Sequence, residues 1–207
     1  MTLLPSNFFK PSITTFDKYF PPHNLYEKPY RCLLMSDSVL MDTGYGTATR
    51  ALANYLHSSN DFSAIQLAYN YPGRILMPPI ELIGGDIINF PVIGAGSQPY
   101  CQDTLEFWIK NLNIDIFWVL TDTFFVWPWF LNKNLTPAKS VWWTMSDGAG
   151  GMPRYTEAVD CIKILQKVDL AVAATKFTQN QIKEKYNMAV PYIPIGVDTN
   201  TFFPLKE

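Results

Sequence analysis

Apolar and polar positions alternate along the chain in blocks. Residues 31–37, RCLLMSD, form a short apolar run that ends in polar residues. In 47–57, Ala48, Ala51, Leu52, Tyr55 and Leu56 recur at i, i+3, i+4, i+7 and i+8. That spacing is the apolar stripe of an amphipathic helix. The alternation then repeats. AIQLAY (64–69) reads as a strand, and so does IINFPVI (87–93), with Pro91 at a bulge or an end because proline cannot donate to a ladder. Asp103 and Glu106 give an acidic helix start, and Leu105, Trp108, Ile109 and Leu112 follow at helical spacing. DIFWVL (115–120) and SVWWTM (140–145) read as strands. Ala158, Cys161, Ile162 and Leu165 make another helical stripe. LAVAAT (170–175) is a strand of small and β-branched residues. Thr178-Gln-Asn-Gln181 is a capping-box start for a last short helix, and VPYIPI (190–195) is the final strand.

Solid apolar strands that alternate with helices need cover on both faces. They predict an α/β fold, a Rossmann-like, doubly wound, mostly parallel sheet of about seven strands. The domain is expected over 30–207, preceded by an irregular arm, 1–29, that is rich in Pro, Phe and Tyr without clear periodicity. In such sheets ligands sit outside the carboxyl ends of the strands, near the point where strand order reverses. The loops after 37, 69, 93, 120, 145, 175 and 195 therefore carry the functional weight.

Composition narrows the classes. Of 207 residues, 48% are apolar and 16% charged, a globular profile rather than a disordered one. A net charge of -2 argues against nucleic acid as a partner. The three cysteines, Cys32, Cys101 and Cys161, are widely spaced and form no CxxC, so neither a zinc ribbon nor a disulfide framework is expected. The setting reads as reducing and cytoplasmic. Asn134-Leu-Thr136 is a glycosylation sequon by letter, with no secretory signal to give it meaning. The longest apolar tract, 116–131, is broken by Asp122 and Pro128 and falls short of the ~20 residues of a membrane span. It reads as a buried strand followed by an aromatic loop. The alternative is a loop that leans on lipid or covers an apolar substrate. Lys163, Lys167, Lys176, Lys183 and Lys185 cluster late. They read as solvated helix faces, or as an anionic contact that, with Trp127, Trp129 and Phe130, gives peripheral membrane association. The same aromatics suit a dimer interface equally well.

Two loops hold candidate chemistry. In the first, Gly44 and Gly46 bracket Tyr45 just before a helix, and Thr47 and Arg50 follow. Glycines permit close backbone approach, and amides at a helix start suit a phosphate or carboxylate. Arg50 is placed in the first turn, where the macrodipole disfavours a cation unless an anion is near. A tight strand-to-helix turn would need glycine for its own sake. The dinucleotide fingerprint G-x-G-x-x-G fails at Thr49, the acid expected after the second strand is missing, and no Gly-Lys-Ser/Thr exists. In the second loop, Ser146, Asp147 and Gly148 leave a strand ahead of more glycines. A carboxylate there can accept a hydrogen bond from a substrate hydroxyl or act as a base. It can also simply close the loop as an Asx-turn.

The tail adds Thr175-Lys176-Phe177, then Gly196-Val197-Asp198 with Phe203-Pro204. Together with Gly44, Gly46 and Asp147-Gly148, this order resembles the amino-terminal, acceptor-side half of the group-1 retaining glycosyltransferases of GT-B fold. The resemblance spans 31–204. It implies transfer of a sugar from a nucleotide-sugar to a glycan, lipid or protein acceptor, with retention of configuration. Gly44, Tyr45, Gly46, Thr47 and Arg50 would face the donor phosphates. Ser146, Gly148 and Lys176 would lie on the acceptor side, with Asp147 as the catalytic candidate where the family often has histidine. His23 and His57 are assigned no role. No cofactor or divalent ion is implied, and the chain has no Asp-x-Asp. The family's second, donor-binding domain is not expected in this chain. A homodimer or a separate chain would have to supply it. Two other readings stay open, a sugar- or nucleotide-binding module without turnover and an interaction protein that keeps only the fold.

Overall fold

The computed structural model describes residues 28–71, 75–94, 101, 103–121, 134–145 and 161–196. Six parallel strands form the sheet: β1 (Tyr30–Ser36), β2 (Phe62–Ala68), β5 (Val92–Gly94), β6 (Ile116–Leu120), β7 (Lys139–Thr144) and β8 (Leu170–Ala173). Their spatial order is β5-β2-β1-β6-β7-β8. Counted along the chain, that is the 3-2-1-4-5-6 order of a Rossmann sheet. Tyr192 bridges Ala173 in parallel where the seventh strand was expected, so 190–195 contributes one bridge rather than a strand. Ile193 N–H and Pro191 C=O face β8. Pro194 then leaves the outer edge short of donors, which discourages further strand addition.

The strands are apolar throughout because both faces are covered. Leu33, Met35, Ile65, Leu67, Phe117, Val119 and Trp142 point to one face. There they pack against helix α2 (Leu105–Asn111), helix α3 (Cys161–Lys167) and helix α4 (Lys176–Tyr186). Cys32, Leu34, Ala64 and Ala68 point to the other face, under helix α1 (Gly44–Ser58). Trp118 and Trp143 meet edge-to-face on that side, over β6 and β7.

Three local expectations are corrected. The stripe of α1 is rotated: Gly46, Ala48, Thr49, Ala53 and Leu56 are buried, whereas Ala51 is exposed and Tyr55 is 72% exposed. Small residues let the helix lie close to the sheet, and the bulky tyrosine is left outside. The run 87–93 divides. β3 (Ile80–Glu81) and β4 (Ile87–Ile88) form a separate antiparallel pair, turning through Gly84 and Gly85 at positive φ. Pro91 precedes β5 and accepts from Gln66 N. In α3 Leu165 is buried and Ile162 half-buried as their spacing predicts, with Ile164 buried beside them, while Ala158 and the Cys161 side chain lie outside the described residues. Finally, α4 is capped by Thr175, whose Oγ1 accepts from Thr178 N at 3.0 Å. Thr178 is buried in the first turn rather than outside it. The helix ends at Asn187 in the left-handed region, a common terminator. Leu105, Trp108 and Ile109 of α2, and Leu112 at its C-cap, are buried as their spacing predicts. Among the described residues no helix is long and apolar enough to cross a membrane.

Candidate functional site

The chain leaves β1 toward β2 through α1, and it returns to β6, on the other side of β1, through α2. Strand order therefore reverses between β1 and β6, and their carboxyl ends are where such a sheet receives a ligand. Hydroxyls close the strands there. Ser36 Oγ donates to Leu120 O at 2.6 Å across the two strands. Tyr69 OH and Thr121 Oγ1 are 3.2 Å apart, and both residues are buried. Thr144 ends β7 at 2% exposure.

Above this polar floor runs the turn 37–43. Asp37 Oδ2 accepts from Thr43 Oγ1 at 2.6 Å, and Asp37 Oδ1 accepts from Asn70 Nδ2 at 3.0 Å. Thr43 Oγ1 in turn accepts from Gly46 N at 3.0 Å, which makes it the N-cap of α1. The two glycines do different work. A Cβ on Gly46 would lie 2.6 Å from Met41 O and 2.7 Å from Ser38 O, so the turn packs directly on its backbone. A Cβ on Gly44 would meet nothing within 4 Å among the described residues. Gly44 thus leaves the first turn of α1 open to approach, at a position where the helix supplies no carbonyl for its amide.

Gly44, Tyr45, Gly46 and Thr47 do form the opening turn of α1. Arg50 does not, because the helix starts earlier than the sequence suggests and carries it into the second turn. Its Nε donates to Val39 O at 2.9 Å, and its terminal nitrogens lie 3.5 Å from Asp42 and 3.7 Å from Asp86. The guanidinium braces the turn and ties the β3–β4 pair to α1. Lys176 opens α4 beyond β8, with Nζ 4.5 Å from the centre of the Tyr192 ring and 3.1 Å from Gln179 Oε1. Three strand spacings, about 14 Å, separate β8 from β1, so Lys176 is not gathered with the α1 turn. Ser146, Asp147 and Gly148 lie outside the described residues, as do the arm over 1–27, Trp127, Trp129, Phe130 and the stretch after Gly196.

Sequence reasoning passed over Ser36, Asp37, Thr43, Gln66, Tyr69, Asn70 and Thr121. A signal was present: the apolar runs of β1, β2 and β6 each end on polar residues, Ser36-Asp37, Tyr69-Asn70 and Thr121.

Shifted ionisations lie elsewhere. Asp169 is held below its ordinary range by the Lys139 ammonium and the Ser140 amide, at the amino ends of β7 and β8. Burial pushes the Cys32 thiol up to about 12 and the Cys101 thiol higher, so neither is a nucleophile in the folded chain. His57, at the far end of α1, is lowered by burial and then by Lys28. Among the described residues no group of three or more His, Cys, Asp or Glu is placed to hold a metal ion.

No family model matches the chain, and no curated protein matches it.

Proposed function

We propose that this chain is the acceptor-side half of a GT-B-type retaining glycosyltransferase and that a nucleotide-sugar docks over the carboxyl ends of β1 and β6. One observation carries the reading. A glycine turn open at Gly44 begins a long helix directly after the central strand, at the reversal of a parallel 3-2-1-4-5-6 sheet. Amides at such a helix start suit the charged linkage of the donor. The hydroxyls and amides around it suit the sugar. Asp147 is proposed to contact the acceptor hydroxyl from the loop after β7, with Ser146 and Gly148 beside it. A second, donor-binding domain would close over the donor.

Arg50 favours a second reading. Its charge is already matched by Asp42 and Asp86, and Asp37 stands beside the same turn. That balance suits sugar hydroxyls better than a diphosphate, as in a binding module without turnover. Both readings are tested by titrating purified protein with a panel of nucleotide-sugars and the matching free sugars while nucleotide release is followed. Release abolished by Gly44→Ala and Asp147→Ala supports the transferase. Binding of free sugars without release supports the module. Neither, at millimolar ligand, removes both.

A further inference from the structure

We infer that Asn70 and Gln66, two amides on and just beyond β2, are positioning residues that hold the β1–α1 turn in the shape a ligand would meet. The β1–β2 ladder ends at Ser36 opposite Ala68. Tyr69 N still donates to Ser36 O at 3.3 Å, and from Asp37 onward side chains make the contacts. Gln66 is fully buried within the sheet. Its Nε2 donates to Asp37 O at 2.7 Å, and its Oε1 accepts from Val39 N at 3.0 Å. Asn70 Oδ1 accepts from Ser38 N at 2.7 Å, and its Nδ2 donates to Asp37 Oδ1 at 3.0 Å. Three consecutive residues, 37–39, are thus held through their main chain by two side chains, one on β2 and one just beyond it. The hold passes onward from Asn70 to the Asp37 carboxylate, to Thr43 Oγ1 and to Gly46 N. Each amide must donate and accept at once, which a carboxylate, hydrocarbon or ammonium group of similar size cannot do.

Asn70→Asp makes this hold depend on pH. It replaces the Nδ2 donor with an oxygen about 3 Å from Asp37 Oδ1, and two carboxylates at that separation do not both ionise without cost. With one shared proton the turn stays closed. When that proton leaves at higher pH, the charges repel and the turn opens. A residue that only fills space would give a loss independent of pH.

The inference rests on the proposed docking at this turn only for its ligand arm, and the exchange arm stands alone. Amide exchange of Ser38 and Val39 is measured as protection relative to the unfolded chain, in wild type and Asn70→Asp, alongside affinity for a UDP-sugar. In Asn70→Asp, protection and affinity should both fall by about tenfold or more as pH rises from about 5 to about 8, a fall that wild type does not show over the same window. Gln66→Met should lower Val39 protection at every pH while the β6–β7 ladder keeps its own. Wild-type protection at Ser38 in Asn70→Asp at all pH values would overturn the inference. So would an equal, pH-independent loss across the whole sheet. A wild type that binds no UDP-sugar would count against the proposed function and leave the exchange result to decide this inference. Should Asn70→Asp fail to fold, Asn70→Ser decides it: Ser38 protection must fall while β6–β7 protection stays.

Discussion

A methyl group added at Gly46 and one added at Gly44, two residues apart, should have opposite consequences. At Gly46 the new Cβ would sit 2.6 Å from Met41 O, 2.7 Å from Ser38 O and 3.0 Å from Thr43 Oγ1. The first two are main-chain oxygens in a turn closed by Met41 N donating to Ser38 O at 3.0 Å. They can yield only if the turn moves. Overpacking of this kind costs about 1–3 kcal/mol, and displacing the Thr43 cap adds about 1 kcal/mol. Gly46→Ala should therefore lose about 2–4 kcal/mol, a fall in Tm of roughly 5–15 °C for a chain of this size. At Gly44 the Cβ meets nothing within 4 Å among the described residues. Because alanine restricts the unfolded chain, Gly44→Ala should hold or gain about 0.4–1 kcal/mol. In the proposed docking its methyl stands on the face the ligand approaches, so nucleotide-sugar affinity should drop while stability does not. Urea and thermal unfolding read the first quantity, and calorimetric titration reads the second. A Gly46→Ala protein as stable as wild type would refute the packing argument. A Gly44→Ala protein with undiminished affinity would refute the contact.

The remaining expectations concern the helix ends. Thr175→Ala should cost about 1 kcal/mol in chemical denaturation and Thr175→Ser far less, since the hydroxyl caps α4; equal losses would contradict the cap. His57 lies in the last turn of α1, where the helix dipole favours a cation. Burial wins, because Nδ1 is enclosed without a partner among the described residues and the ring packs near Phe90. A base lowered on folding binds its proton better when unfolded, so stability should decline as pH falls below about 6.5. His57→Gln should flatten that decline between about pH 7 and pH 5, and an unchanged slope would show that His57 is not its source.

The sheet was legible in the sequence because its strands are buried on both faces and so read as unbroken apolar runs. Phase was harder to read. Tyr55 and Ala51 are apolar by letter, yet α1 turns Thr49 and Ala53 inward because small side chains permit close packing. The β3–β4 pair escaped notice because each strand is two residues long and carries no periodicity. The α1 turn announced its glycines but not its supports. Gln66 and Asn70 act across 29 and 33 residues of sequence, and contacts between strands leave no local spacing to find. The partners of Arg50, Val39 O and Asp86, were hidden for a related reason: they are set by where the turn and the hairpin come to rest.

The most direct test is to map a nucleotide-sugar onto the folded chain by titrating isotope-labelled protein and following every amide resonance. Docking at the strand reversal predicts saturable shifts at Asp37, Ser38, Gly44, Tyr45, Asn70 and Thr121, with the amino ends of β7 and β8 unmoved. No shift at millimolar ligand, or shifts confined to α4 and the Tyr192 edge, would contradict it.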